Sequence, residues 1–379
     1  MIYNTFQNMK ISALGFGAMR LPVLDGDDAK IDEALTGEMV AYAMKNGINY
    51  YDTAWGYHSG NSETVMGKTL KAFDRESYYL ATKFPGYDLS NMGKVESIFE
   101  AQLEKCGVDY FDFYLFHNVC EINIDEYLNE KNGILAYLRR QKENGRIRHL
   151  GFSAHGSLDI IKRFLEAYGE YMEFGQLQLN YIDWSFQEGQ SKAALLEDYN
   201  IPIWVMEPFR GGKLASLSDE DTAKLKTLRP HETVPAWALR FLQTLPNITV
   251  TLSGMSNMAQ LEANIRTYET EAPLNPKEFD ALQEIADGMV GRISLPCTVC
   301  RYCISHCPQE LDIPNLLALY NEHIFTGGGF IAPMVMQTLP ADKQANACIA
   351  CGECEAVCPQ QIQISEALHS FAEKLTPGA

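Results

Sequence analysis

The most constrained chemistry in this 379-residue chain lies in eight cysteines. Cys297, Cys300, Cys303 and Cys307 fall in the spacing C-x2-C-x2-C-x3-C, followed by Pro308, and Cys348, Cys351, Cys354 and Cys358 repeat it, followed by Pro359. Thiolates are soft ligands, and an iron–sulfur cubane needs four of them around one small volume, three from a tight loop and one from elsewhere. The repeat therefore predicts two [4Fe-4S] clusters. In paired runs of this kind the fourth cysteine serves the other cluster. That assigns Cys297, Cys300, Cys303 and Cys358 to one cluster and Cys348, Cys351, Cys354 and Cys307 to the second. Structural zinc normally takes paired C-x2-C knuckles, which a tight third and fourth cysteine followed by proline fit poorly. A second set, Asp52, Tyr57, Lys83 and His117, stands at or just after the ends of short apolar runs.

Those runs alternate with helical segments from about residue 11 to 270. Candidate strands are GFGAMRL (15 to 21), INYYDTA (48 to 54), YYLATKF (78 to 84), DFYLFH (112 to 117), IRHLGFSA (147 to 154), FGQLQLN (174 to 180), IPIWVMEP (201 to 208) and ITVTLSG (248 to 254). Between them, segments such as SETVMGKTLKAF and VESIFEAQLEKC place apolar residues three and four apart, as amphipathic helices do. Strict strand–helix alternation implies parallel pairing with right-handed crossovers, and eight units in roughly 260 residues match a closed (β/α)8 TIM barrel. The opening IYNTFQNMKISALG reads as a hairpin able to plug the barrel bottom. Barrel chemistry sits at C-terminal strand ends, where Asp52, Lys83, His117, Ser153, Gln176, Glu207 and Ser253 occur. APLNPKEFDALQEIADGM reads as one more helix, leading through GRISLP into the cysteine segment. We expect an α/β barrel over residues 1–289 and a small, helix-rich dicluster domain over 290–379, containing the helix IPNLLALYNEHIF and a flexible TGGGF.

Composition narrows the setting. The formal charge of -18 and a pI near 4.9 argue against nucleic acid and anionic lipid, which require a positive face. There is no leader-like N-terminus and no apolar stretch long enough to span a bilayer, so we expect a cytoplasmic protein with no membrane partner. Outside the two runs only Cys106 and Cys120 remain, each near an apolar segment, where a buried free thiol is expected.

The ordered set of motifs resembles the aldo-keto reductase family, in the subgroup whose barrel is fused to a ferredoxin-type 2[4Fe-4S] domain. The set comprises GFGAMRLP, D-T-A-x-x-Y from Asp52 to Tyr57, S-E-x-x-x-G from Ser62, Thr82-Lys83, the His117 strand end and Gly151-Phe152-Ser153. The resemblance implies catalysis by Asp52, Tyr57, Lys83 and His117. Hydride arriving at a carbonyl carbon leaves oxyanion charge that a positioned acid must protonate. Tyr57 would be that acid, Lys83 the cation stabilising its phenolate, Asp52 the counter-ion of Lys83, and His117 a hydrogen-bond donor to the substrate oxygen.

The resemblance also implies a nicotinamide cofactor. Gln176 and Ser153 match residues that hold the carboxamide, with Ala154 where the family usually has Asn and His155 beside it. Met206 stands where many members stack a Tyr on the ring. Gly211, Gly212, Ser253 and Gly254 would cradle phosphates at a helix N-terminus, while Gln260 and Asn264 match contacts to the adenosine. Asn257-x-x-Gln260 also reads as a plain helix cap. NADPH-specific relatives carry a basic residue in the segment after the last strand, and LSGMSNMAQLEAN has none before Arg266, so NADH and NADPH both stay open. Trp55, Tyr87, Trp184 and Phe209 are candidate lining residues for a small carbonyl substrate. Hydride carries two electrons and each cluster one, and no flavin fingerprint is present, which leaves a flavin open. Three readings follow: a carbonyl oxidoreductase with structural or sensory clusters, an enzyme exchanging electrons with an external ferredoxin or flavoprotein, and a non-catalytic redox sensor.

Overall fold

A computed structural model describes residues 1–291, 294–297, 300–301, 303–358 and 360–375. Part of the GRISLP connection and Pro359 lie outside the described residues. Two strands, β1 (Tyr3–Phe6) and β2 (Met9–Ser12), pair antiparallel as the expected hairpin. Eight more follow: β3 (Leu14–Gly17), β4 (Tyr50–Asp52), β5 (Tyr79–Phe84), β6 (Phe111–Val119), β7 (Ile147–Ala154), β8 (Phe174–Gln178), β9 (Ile203–Met206) and β10 (Ile248–Gly254). They close in the order β10-β3-β4-β5-β6-β7-β8-β9, every pair parallel, into the TIM barrel.

The strands read as near-continuous apolar runs because both faces are covered, one by the barrel interior and the other by helices. In β6 only His117 of nine residues is not fully buried. Phe6 from the hairpin inserts edge-on against His149, Phe174 and Trp204 and packs with Tyr50 and Phe113, so the hairpin does plug the barrel. Around the barrel the helices present apolar faces at helical spacing. Val95–Cys106 buries Val95, Ile98, Phe99, Gln102, Leu103 and Cys106, and Gly107 at φ 63° closes it in the left-handed conformation that glycine tolerates.

The chain divides into two compact units, Met1–Gln283 and Glu284–Ala379. The division falls inside helix Pro276–Gly291, ahead of the 289/290 boundary, which the end of the helical pattern had suggested. The second unit is helical: Ile313–Thr326, Ile331–Thr338 and Ile364–Leu375 pack through Leu316, Leu317, Met336, Leu368 and Phe371. TGGGF has defined structure, because left-handed Gly327 caps the first of these helices and the Thr326 hydroxyl accepts the Gly329 amide. Among the described residues no helix is long and apolar enough to cross a membrane.

Candidate active site and thiol cradles

Parallel register pairs Asp52 of β4 with Ala81 of β5, so Lys83, two residues further along, points to the same face as Ala81. Lys83 is fully buried and Asp52 nearly so. Its ammonium lies 2.6 Å from Asp52 Oδ1, 2.9 Å from the Thr53 carbonyl and 3.4 Å from the Tyr57 hydroxyl. Three donors thus meet three acceptors, the arrangement a buried ammonium requires. Burial alone would lower Lys83, but the Asp52 carboxylate and the Tyr57 oxygen hold it above the ordinary lysine value. Burial pushes the Tyr57 phenol up while Lys83 pulls it back.

His117 completes the set. Its ring meets Tyr57 edge-on at 6.0 Å and Tyr87 at 5.1 Å. Burial, reinforced by Lys83, pushes its pKa well below the usual histidine value, so the imidazole is neutral at pH 7. Its Nδ1 is buried with no hydrogen-bond partner among the described residues. Gly56, just before Tyr57, is needed for space: a Cβ there would sit 2.3 Å from the Tyr87 hydroxyl. All four residues expected to catalyse therefore meet at one mouth of the barrel.

Behind them stands a network the sequence did not reveal. Glu63 is fully buried and accepts from the Thr82 hydroxyl and from Gln102 Nε2, both at 2.7 Å, while Gln102 also donates to the Lys83 carbonyl at 3.0 Å. Tyr114 donates to Gln102 Oε1 at 2.6 Å. Lys105 lies 3.5 Å from Glu63 and 3.7 Å above the Trp55 ring. The one available signal was Glu63 in Ser62-Glu63. Gln102 and Tyr114 read as ordinary members of amphipathic or apolar segments.

The expected cofactor residues separate. Ser153 is buried, and its hydroxyl accepts the Asn118 amide at 2.8 Å, keeping its own proton to donate. Gln176 lies in the middle of β8, its Nε2 3.3 Å from Asp52 Oδ2, whereas half-buried Gln178 ends the strand and donates to Asp183. Met206 is half-buried at the end of β9. Gly211 and Gly212 have positive φ and lead into a three-residue 3-10 turn, Lys213–Ala215. The Gly211 amide donates to Glu207 Oε2 at 2.6 Å, and Arg20 pairs with Glu207 Oε1 at 2.8 Å. Arg20 also packs over Gly254, where an added Cβ would meet it at 3.2 Å. Ser253 and Asn264 are both buried and bonded to each other at 3.1 Å. Asn257 caps helix Met258–Thr267 by accepting the Gln260 amide, and Gln260 Oε1 accepts the Ser256 amide, so the capping geometry is present. Trp55, Tyr87, Trp184 and Phe209 are all half-buried.

In the second unit the eight thiols ring two cavities. One is lined by Cys297, Cys300, Cys303 and Cys358, with Pro314, Leu317, Ile362 and Ile364. The other is lined by Cys348, Cys351, Cys354 and Cys307, with Leu311, Ile313 and Leu368. Each cradle takes three cysteines from one run and the fourth from the other. Among the described residues no three His, Cys, Asp or Glu side chains converge as ligands of a single ion. Four thiols drawn from two runs around one space are the ligand set a cubane takes.

Comparison with known sequences finds the Aldo/keto reductase family over residues 13–287. The chain belongs to the aldo/keto reductase family. A 4Fe-4S dicluster domain matches residues 296–363. Among curated relatives, "Probable aldo-keto reductase 1" of Glycine max is 32% identical over 166 residues, 41% of this chain and 45% of that protein. The chain thus spans under half of that relative's length. The "NADH-specific methylglyoxal reductase" of Escherichia coli strain K12 is 27% identical over 237 residues, 56% of this chain and 68% of that one. In solved structures, the holo form of an aldo-keto reductase from Bacillus halodurans superposes with a TM-score of 0.60 at 23% identity, covering 75% of this chain and 96% of that one. This aldo/keto reductase has residues that fit both implied cofactors. The thiol cradles match two four-ligand clusters. At the barrel mouth the Ser153 hydroxyl proton, the unpartnered His117 Nδ1 and the Arg20 guanidinium beside Gly211 suit a carboxamide, a polar substrate and a phosphate bridge.

Proposed function

We propose that this protein is a nicotinamide-dependent carbonyl oxidoreductase that reduces a small aldehyde or ketone, or oxidises the corresponding alcohol. The observation that carries the reading is Lys83, fully buried, with its ammonium on Asp52 and 3.4 Å from the Tyr57 hydroxyl. Bound NADH or NADPH would supply hydride to the carbonyl carbon. Tyr57 would give its proton to the developing oxyanion, and Lys83 would stabilise the phenolate that remains. Asp52 keeps Lys83 charged and placed. Neutral His117 has one N–H to offer the substrate oxygen and does not compete as the acid. The Ser153 hydroxyl and the Gln176 amide would hold the carboxamide, with Gln176 Nε2 also within 3.3 Å of Asp52. Arg20 and the Gly211 amide would exchange Glu207 for the phosphates, a charge-assisted swap. NADH is the preferred dinucleotide, because residues 252–265 carry no cation for a 2'-phosphate. The Escherichia coli relative's NADH specificity, as its name states, points the same way.

Two four-thiol cradles favour a second, compatible reading, in which the clusters exchange single electrons with an external ferredoxin or flavoprotein. One experiment addresses both. Anaerobically prepared protein is assayed for iron, sulfide and flavin, then for NADH- and NADPH-dependent reduction of a dicarbonyl, before and after cluster removal. Expected are about eight iron and eight sulfide per chain by cluster stoichiometry, and carbonyl reduction that survives cluster loss. Absence of any nicotinamide-dependent turnover would defeat the first reading and leave the electron-exchange reading standing.

A further inference from the structure

Residues 58–60 take left-handed backbone in succession, at φ 53°, 55° and 90°, and the first two are His and Ser rather than glycine. Strain of that kind persists only where surrounding contacts over-determine it. Here the contacts belong to the His58 ring, whose side chain is 1% exposed. Its Nε2 lies 3.0 Å from the Leu21 amide nitrogen, and its Nδ1 lies 2.9 Å from the Asp28 carbonyl and 3.1 Å from Asp28 Oδ1. A backbone N–H can only donate, so Nε2 must be the acceptor and the ring proton sits on Nδ1, donating to Asp28. Both nitrogens are thereby committed to the segment that follows β3. That segment is itself folded, with Val23 bridged to Ile31 and the Leu24 amide on the Lys30 carbonyl. Flanking bonds run the same way, from Asn61 Nδ2 to the Ala29 carbonyl and from the Ser62 hydroxyl to the Ala18 carbonyl, each 3.0 Å.

We propose that His58 is a positioning residue for Tyr57: by clamping the turn that carries the phenol to Leu21 and Asp28, it sets the approach of the Tyr57 hydroxyl to Lys83. The proposal rests on the reading of Tyr57 as the acid. Leu21 follows Arg20, which reaches Glu207 beside the Gly211 amide, so the clamp also ties the acid to the strap over the phosphate path. His58 itself touches no reacting atom.

The test compares His58→Gly, His58→Asn and His58→Gln. Glycine adopts the left-handed backbone without strain and leaves a ring-sized void. Asparagine keeps a donor toward Asp28 but cannot reach Leu21, whereas glutamine can bring a carbonyl acceptor toward Leu21. In the Gly and Asn variants kcat should fall at least tenfold, the directly measured Kd for NADH should stay within about threefold, and amide exchange at Leu21 and His58 should quicken. Glutamine should recover most of kcat and of the amide protection, and added imidazole should raise kcat of His58→Gly. Unchanged kcat in the Gly and Asn variants would overturn the proposal, as would unchanged exchange at Leu21. A glutamine variant with Leu21 protected but kcat still lost would do the same. If His58→Gly does not fold, the Asn and Gln pair decides. If the wild-type protein reduces no carbonyl, the assigned reaction fails, while faster exchange at Leu21 and His58 would still uphold the clamp.

Discussion

Removing Lys83 should destabilise the barrel and abolish activity, and removing Asp52 with it should restore the stability but not the activity. Asp52 is 3% exposed and Lys83 0%, so neither charge has water to fall back on. In Lys83→Met the Asp52 carboxylate keeps one donor, Gln176 Nε2 at 3.3 Å. Breaking one side of a buried pair costs about 3–5 kcal/mol, whereas replacing both sides with neutral groups of similar shape is often close to neutral. Lys83→Met should therefore lose about 3–5 kcal/mol at neutral pH, and Asp52→Asn/Lys83→Met should regain most of it. Burial already pushes the Asp52 carboxyl up, and Lys83 is the main influence pulling it back. Without Lys83 the folded state must hold a proton that the unfolded chain releases above pH 4 or so. The folded protein then binds more protons than the unfolded one, so the penalty grows as pH rises, by up to about 1.4 kcal/mol per unit until the folded-state value is passed. Urea unfolding at pH 5 and pH 8, alongside kcat/KM on a dicarbonyl, measures both effects. A double variant no more stable than Lys83→Met, or a penalty that does not change with pH, would refute the argument.

Tyr57→Phe should lower kcat for carbonyl reduction by roughly 10²- to 10⁴-fold, the range of a general acid, with NADH binding by fluorescence titration nearly unchanged. Cys307→Ser should damage the cluster held by Cys348, Cys351 and Cys354, visible by electron paramagnetic resonance of the reduced protein as loss of one signal; damage to the other cluster would reverse the assignment. Glu173 tests the hairpin plug: burial alone would raise its carboxyl, but donors from His149, Lys142, Gln7 and the Leu150 amide bring it down to about 2. Its folded value lies below its unfolded one, so it contributes stability above about pH 4.5, reduced by solvent screening of this part-exposed group, that is lost as pH falls toward 2. The stability gap between wild type and Glu173→Gln should close over that window in acid titrations of unfolding.

What was legible in the sequence divides by the kind of information each feature needs. The eight barrel strands announce themselves because burial on both faces demands unbroken apolar runs, and β6, FDFYLFHNV, is legible for that reason alone. The tetrad is legible because Asp52, Lys83 and His117 sit at strand ends that the barrel must gather at one mouth. Crossing of the fourth cysteines follows from spacing, since three ligands exhaust a tight loop. Gln102 and Tyr114 carry no such mark; they meet Glu63 only through the packing of helix Val95–Cys106 on the barrel, a contact between segments far apart in sequence. Gln176 is matched to the cofactor's carboxamide only by the resemblance, and its side chain stands 3.3 Å from Asp52. Gln176 and Gln178 are two residues apart in β8 and so point to the same face, with Gln178 at the strand's end. At Gly211 and Gly212 the structure adds a partner that the sequence does not announce. Two glycines suggest an anion cradle, but Glu207, at φ 55°, turns its own carboxylate onto the Gly211 amide.

That carboxylate bears on why an acidic protein can bind a dinucleotide at all. With a formal charge of -18, the chain repels phosphate at long range, so attraction must be built locally. Under the proposed function Arg20 and the Gly211 amide would supply it, and Glu207 holds both in the absence of phosphate. Binding would then exchange one carboxylate for another anion instead of creating new pairs, which would make the net gain modest and the cofactor easy to release. A carbonyl oxidoreductase that returns its nicotinamide after each turnover needs that exchangeability. The clusters need the opposite, and each of their cradles is drawn from both cysteine runs, so neither can open without disturbing the other.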